Sequence, residues 1–115
     1  MTERATSPVA TALVPATSTL QFSRVVSVGH FAYFAGRLLG GHVPPTGAIV
    51  VVQAFDRGQW RNIATVRTNR DGAWSARYAI NGGTGSYPVR VRIPRQAAYP
   101  WTAAVTTAQT LVVKP

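Results

Sequence analysis

The chain has 115 residues, enough for one domain with a modest core, and without cysteine it can have neither a disulfide framework nor a thiolate metal site. Twelve Lys plus Arg against three Asp plus Glu give a formal charge of +9. That balance favours anionic partners and leaves few groups for acid/base chemistry. No apolar run approaches the roughly 20 residues of a membrane-spanning helix, so no membrane span is expected.

Residues 1–17, rich in Thr, Ala, Ser and Pro, read as an arm or linker, and residues 18–115 as the folded domain. The apolar run at 9–14 is too short and too polar for a secretory signal. Two settings are consistent with this: a piece of a longer secreted protein at the cell surface, or a protein made and used without export, as in a virion. Within the arm, Thr11-Ala12-Leu13-Val14-Pro15 resembles the last strand, Thr110-Leu111-Val112-Val113-Lys114-Pro115. A segment that pairs with a neighbour's sheet edge would read this way, and so would a plain tail with chance similarity.

Residues 19–23 alternate and predict a first, edge strand. Residues 29–37 predict a second, with Ala32, Phe34 and Gly36 on one face and Phe31, Tyr33 and Ala35 on the other, both apolar. After a Gly- and Pro-rich loop, residues 48–55 form a third strand, also apolar on both faces. Residues 60–80 read as a β-hairpin closed at Asn69-Arg70-Asp71-Gly72, where Asp bonds back to its own backbone and Gly supplies a positive φ. The hairpin register sets Val66 opposite Trp74, Ala64 opposite Ala76, Asn62 opposite Tyr78 and Trp60 opposite Ile80. Residues 87–93 are the cleanest period-two stretch, with Tyr87, Val89, Val91 and Ile93 inward and Arg90 and Arg92 outward, and residues 105–113 supply the last strand.

About seven short strands separated by turn signals, without useful helical periodicity, predict an all-β, antiparallel immunoglobulin-like β-sandwich with an N-terminal arm. The sequence also carries a resemblance in Gly29-x-x-Ala32-x-Phe34-x-Gly36-Arg37-Leu38, Gly47-Ala48-x-Val50, Trp60, Thr68-x-x-Asp71-Gly72-x-Trp74, Tyr87-x-Val89-x-Val91 and Tyr99-Pro100. This pattern, over residues 19–113, resembles bacterial immunoglobulin-like domains of surface and secreted proteins and is similar to carboxypeptidase-regulatory-like domains. The resemblance implies a non-enzymatic adhesive, spacer or assembly module. It departs from those families in its aromatic Phe31 and Tyr33, where they commonly show polar residues, and in its Met start without an export signal. Their Lys-Asn isopeptide link needs a core lysine beside an acid, and the only lysine here is Lys114 at the chain end.

An enzyme is not expected on inventory. Glu3 lies in the arm, and Asp56 and Asp71 sit in successive turns separated by a strand of roughly 25 to 30 Å, far beyond an acid/base pair. His30 and His42 have neither a neighbouring carboxylate nor a second His at ligand spacing, so neither a metal nor a cofactor is expected. Residues 81–85 are Gly-rich but lack the Lys-Ser/Thr and the helix of a phosphate-binding loop, and read as a strand connection.

Function is therefore expected at surfaces. Phe31, Tyr33, Ile49 and Val51 predict an apolar outer face that something must cover: the arm, the Tyr99–Trp101 loop or another copy of the chain. Partners are accordingly protein surfaces, including homotypic ones. Arg61, Arg67 and Arg77 share the outer face of the predicted hairpin, and Arg90 and Arg92 that of a later strand. The two sets are expected in different sheets, which disfavours an anionic glycan or nucleic acid as partner; in one sheet they would form a stripe for polyanions. Two alternatives stand beside this: a virion structural component, such as a capsid decoration or tail domain, and a carbohydrate- or polyanion-binding module using Tyr99, Trp101, Arg90 and Arg92.

Overall fold

The computed structural model describes residues 17–39, 43–96 and 103–115, all strand and connection. The strands in order are β1 (Thr17–Ser18), β2 (Gln21–Phe22), β3 (Val25–Ser27), β4 (Phe31–Leu39), β5 (Ile49–Asp56), β6 (Gln59–Arg67), β7 (Ala73–Ala79), β8 (Gly85–Ile93), β9 (Ala104–Val105) and β10 (Gln109–Lys114). A four-stranded sheet sets β1 and β2 on one side of β4 and β7 on the other. A six-stranded sheet runs β3-β10-β8-β5-β6, with β9 also on β8. Counting β1 to β3 as one broken first strand and β9 with β10 as one broken last strand leaves seven positions. The architecture is an immunoglobulin-like β-sandwich.

The core is where the alternations meet. Ala32, Phe34 and Leu38 of β4 and Trp74 of β7 face Val50 and Val52 of β5, Val89, Val91 and Ile93 of β8, and Leu111 and Val113 of β10, all buried. Glycine is required at position 36, because a Cβ there would strike the Thr19 carbonyl and lie 2.6 Å from Cζ2 of the Trp74 indole. The indole N–H donates to Ser18 Oγ at 3.0 Å. Ser18 Oγ in turn reaches the carbonyls of Thr19 at 2.8 Å and Arg37 at 3.2 Å, so a two-residue strand is held to the core by one buried tryptophan.

The predicted 60–80 hairpin does not form. β6 pairs with β5 (Val66 with Val50, Ala64 with Val52), whereas β7 pairs with β4 (Trp74 with Gly36, Ala76 with Phe34, Tyr78 with Ala32). The turn forms where expected and Gly72 has φ +85°, but the side chain that bonds back is Asn69 rather than Asp71: Asn69 Oδ1 accepts the N–H groups of Asp71 at 2.9 Å and Ala73 at 3.0 Å. Its two ends are docked on different sheets. Thr68 N–H donates to the Ala48 carbonyl at 2.8 Å, and Thr68 Oγ1 accepts from Ala48 N–H at 3.0 Å, while Leu38 N–H donates to the Gly72 carbonyl at 2.9 Å. The chain therefore crosses the sandwich at this corner. Tyr78, on the inward side of β7 but on an edge strand, is 39% exposed.

Two irregularities shape the six-stranded sheet. The register between β5 and β6 shifts at Val52/Gln53, so Ile63 is an extra residue and the alternation of β6 inverts beyond it. Asn62 and Trp60 thereby join Thr65 and Arg67 on the outer face, and Arg61 leaves it. At the far end, Pro94 cannot donate to β5. The Gln96 side chain substitutes, accepting from Ile49 N–H at 2.7 Å and donating to its carbonyl at 3.1 Å.

Candidate functional sites on the two outer faces

The register that builds the core turns Phe31, Tyr33 and Ala35 of β4 and Ser75, Arg77 and Ala79 of β7 onto the outside of the four-stranded sheet. Phe31 is 44% and Tyr33 62% exposed, and their ring centroids stand 6.2 Å apart. The Arg77 guanidinium lies over the Phe31 ring at 4.9 Å, which places a cation on a ring face and shields part of that aromatic. The small Ala35 and Ser75 leave a shallow depression of about 410 Å³ beside Tyr33, bordered by Gln21 and Arg77, with Phe34 and Ala76 also lining it.

The outer edge of β7 is open among the described residues. Ile80 N–H donates to His30 O and Leu38 N–H to Gly72 O, which identifies the even-numbered residues of β7 as those bonded to β4. The N–H and C=O groups of Ser75, Arg77 and Ala79 therefore point away from the sheet. Those of Ala73 point the same way but meet Asn69.

The opposite exterior has different chemistry. Arg90 of β8 lies over Trp60 of β6, its guanidinium carbon 3.9 Å from the ring centroid, and Phe55 packs on the same indole at 5.3 Å and 68°. Arg90 Nε donates to Gln53 Oε1 at 2.9 Å, and Gln53 Nε2 donates to Asn62 Oδ1 at 2.8 Å. Three strands thus share one polar chain that runs over the sheet from β8 through β5 to β6. Arg92 pairs with Val51, which pairs with Thr65, and Arg67 pairs with Ile49. Arg67, Arg90 and Arg92 share this face. The one ion pair among the described residues, Arg61 Nε to Asp56 Oδ2 at 3.9 Å, lies off it by the alternation of β5 and β6.

These placements revise two sequence-based expectations. Phe31, Tyr33, Ile49 and Val51 do not make one apolar face, since β4 and β5 belong to different sheets. Val51 is only 5% exposed and Ile49 is half-buried, so the aromatic pair is the apolar surface and the aliphatic pair lies between polar neighbours. The arginines divide between sheets, but differently from expected: Arg77 faces out from the four-stranded sheet, where Arg37 of β4 shares its face and donates to the Asp71 carbonyl at 3.0 Å, and Arg67 joins Arg90 and Arg92 because β6 does not pair with β7. Tyr99, Trp101, His42 and the arm up to residue 16 lie outside the described residues. The clamp of Arg90 by Trp60 and Gln53 was missed in the sequence because the bulge at Ile63 reverses the side on which Trp60 emerges. Among the described residues no group of three or more His, Asp or Glu gathers as metal ligands do.

No protein-family model matches the chain, and a search of curated proteins finds no match. Among solved structures, the chain is similar to the solution NMR structure of the CARDB domain of the PF1109 protein from Pyrococcus furiosus, at 15% identity and a TM-score of 0.48, over 86% of this chain and 94% of that one. It is also similar to the crystal structure of that CARDB domain in complex with di-metal ions, at 16% identity and a TM-score of 0.47, over 85% and 86% of the two chains. The immunoglobulin-like fold stated above rests on the sheet order and register of this chain itself.

Proposed function

We propose that the protein is a non-enzymatic immunoglobulin-like module of the bacterial surface-protein kind, structural or adhesive, that associates with a second copy of itself through the outer face of its four-stranded sheet. The observation that carries this reading is the Tyr33 ring, 62% exposed, standing beside a depression floored by Ala35 and Ser75. A projecting ring next to a hollow is self-complementary: a two-fold axis seats each ring in the other copy's hollow. A monomer gains nothing from displaying two neighbouring aromatics there, whereas a contact removes both from water. At about 3.3 Å per residue and 4.8 Å per strand, the face measures roughly 30 by 14 Å, near 400 Å² in projection. That is at the low end for specific association, so a weak dimer is expected, with dissociation at tens of micromolar or above.

Sedimentation equilibrium over a range of concentrations tests it. Mass rises with concentration for the native chain and stays monomeric for Tyr33→Glu and Phe31→Glu, both with native-like thermal unfolding. A native chain that remains monomeric at millimolar concentration, or a Tyr33→Glu variant that associates as the native chain does, overturns the reading.

A further inference from the structure

We propose that the outer face of the six-stranded sheet is a receptor for a sulfated polysaccharide, with Arg90 as its fixed fork and Arg92 and Arg67 as flanking cations. Most surface arginines are mobile, and ordering one on binding costs side-chain entropy. Arg90 is ordered beforehand. The Trp60 ring 3.9 Å beneath it supports the guanidinium, and the Gln53 acceptor at 2.9 Å fixes its Nε. Gln53 is itself 7% exposed and held by Asn62, so the clamp has a buried anchor. Because Gln53 takes Nε, the two Nη groups remain, and no described residue accepts from them. That leaves the two-pronged end of the guanidinium, the geometry that binds two oxygens of a sulfate at once.

The neighbouring groups suit an extended anion. Arg92 follows two residues along β8, about 6.6 Å away at the backbone, and Arg67 lies two strands over and two residues along, about 12 Å from Arg92. No described carboxylate is within ion-pairing distance of any of the three. Asn62 and Thr65 lie between them on the outer face and are exposed, able to meet neutral sugar hydroxyls.

The same geometry disfavours the other polyanions. Single-stranded nucleic acid is gripped by stacking its bases on open rings, but Trp60 is covered by Arg90 and flanked by Phe55. An acidic peptide added to an edge of this sheet would lie along β3 or β6, and Arg90 stands two strands in from each.

Calorimetric titration of the full chain with heparin at low salt tests the site, with fully desulfated heparin and single-stranded DNA as comparison probes. Binding to heparin is expected, falling with salt at a log–log slope near −2 to −3 for three neutralised anions. Arg90→Lys preserves charge but loses the fork and the stack, and weakens binding about tenfold. Arg92→Gln weakens it severalfold, and Arg77→Gln, with the same charge change on the other sheet, by less than twofold. Equal losses for Arg77→Gln and Arg92→Gln would reduce the effect to net charge. No loss in a folded Arg90→Lys, no heparin binding, or tighter binding to DNA or desulfated heparin would each overturn the proposal.

Discussion

Replacing Ser18 with Ala removes one hydroxyl from the edge of the sandwich and strands a buried donor. Trp74 is 5% exposed, and its indole N–H has Ser18 Oγ at 3.0 Å. Ser18 is itself 8% exposed, which leaves water little room to take the hydroxyl's place. An orphaned buried N–H costs about 1 to 3 kcal/mol, more than the net value of the bond that satisfied it. For a domain of this size each kcal/mol lowers the melting temperature by roughly 3 to 6 °C, so Ser18→Ala should melt on the order of 5 to 15 °C lower. Trp74→Phe removes the donor together with part of the ring, and its cost is chiefly the cavity. Once the donor is gone, deleting the Ser18 hydroxyl no longer strands it, so the double variant should lose about 1 kcal/mol less than the sum of the two single losses. Urea unfolding followed by circular dichroism, at constant m-value, measures all three. Additive losses, or a Ser18→Ala variant within about 0.3 kcal/mol of native, would refute the coupling of the first strand to the core through Trp74.

Gly36→Ala places a methyl on the Thr19 carbonyl and against the Trp74 ring, neither of which is a flexible side-chain end, so it should cost near the upper end of the usual ~1–3 kcal/mol for overpacking. Urea unfolding reads it, and a native-like midpoint would mean that the indole does not lie over Gly36. Hydrogen exchange tests the crossing at residues 68–72: the amides of Trp74, Ala76 and Tyr78 should be protected, and those of Ser75, Arg77 and Ala79 should exchange rapidly at the open edge. Uniform protection along β7 would mean that its outer edge is paired as well, and would refute the open edge.

Why part of this fold was legible is a matter of range. The alternation at residues 87–93 and the division of β4 into Ala32/Phe34/Gly36 and Phe31/Tyr33/Ala35 are local consequences of the pleat, and both hold in the structure. The turn at Asn69–Gly72 was equally legible as a turn. Its side-chain bonds are the same whether the chain folds back on its own strand or passes to the other sheet, and the choice is made by Ala48 and Leu38, more than twenty residues away. One local warning existed: a strict alternation put polar Asn62 on the face of Val66, a conflict that the extra residue Ile63 resolves. β3 gave less signal, being three residues whose parallel partner, Val112 to Lys114, lies at the far end of the chain.

The two exteriors differ for a reason that also makes their proposed roles separable. Each outer face consists of the side chains that the pleat turns away from one shared core. Changing Tyr33 or Arg90 therefore leaves the packing of Phe34, Val89 and Val91 intact. On the four-stranded sheet the outward cations are engaged, Arg77 with Phe31 and Arg37 with the Asp71 carbonyl, and what remains for a partner is chiefly apolar surface. On the six-stranded sheet it is the aromatic Trp60 that is covered, and what remains is the guanidinium. Arg77 thus makes its face less polar, while Trp60 makes its cation more rigid. Salt acts on the two in opposite directions. Screening weakens attraction between Arg90 and an anion, but it also weakens repulsion between two chains of charge +9, so association through Tyr33 should strengthen at the ionic strength where heparin binding fades.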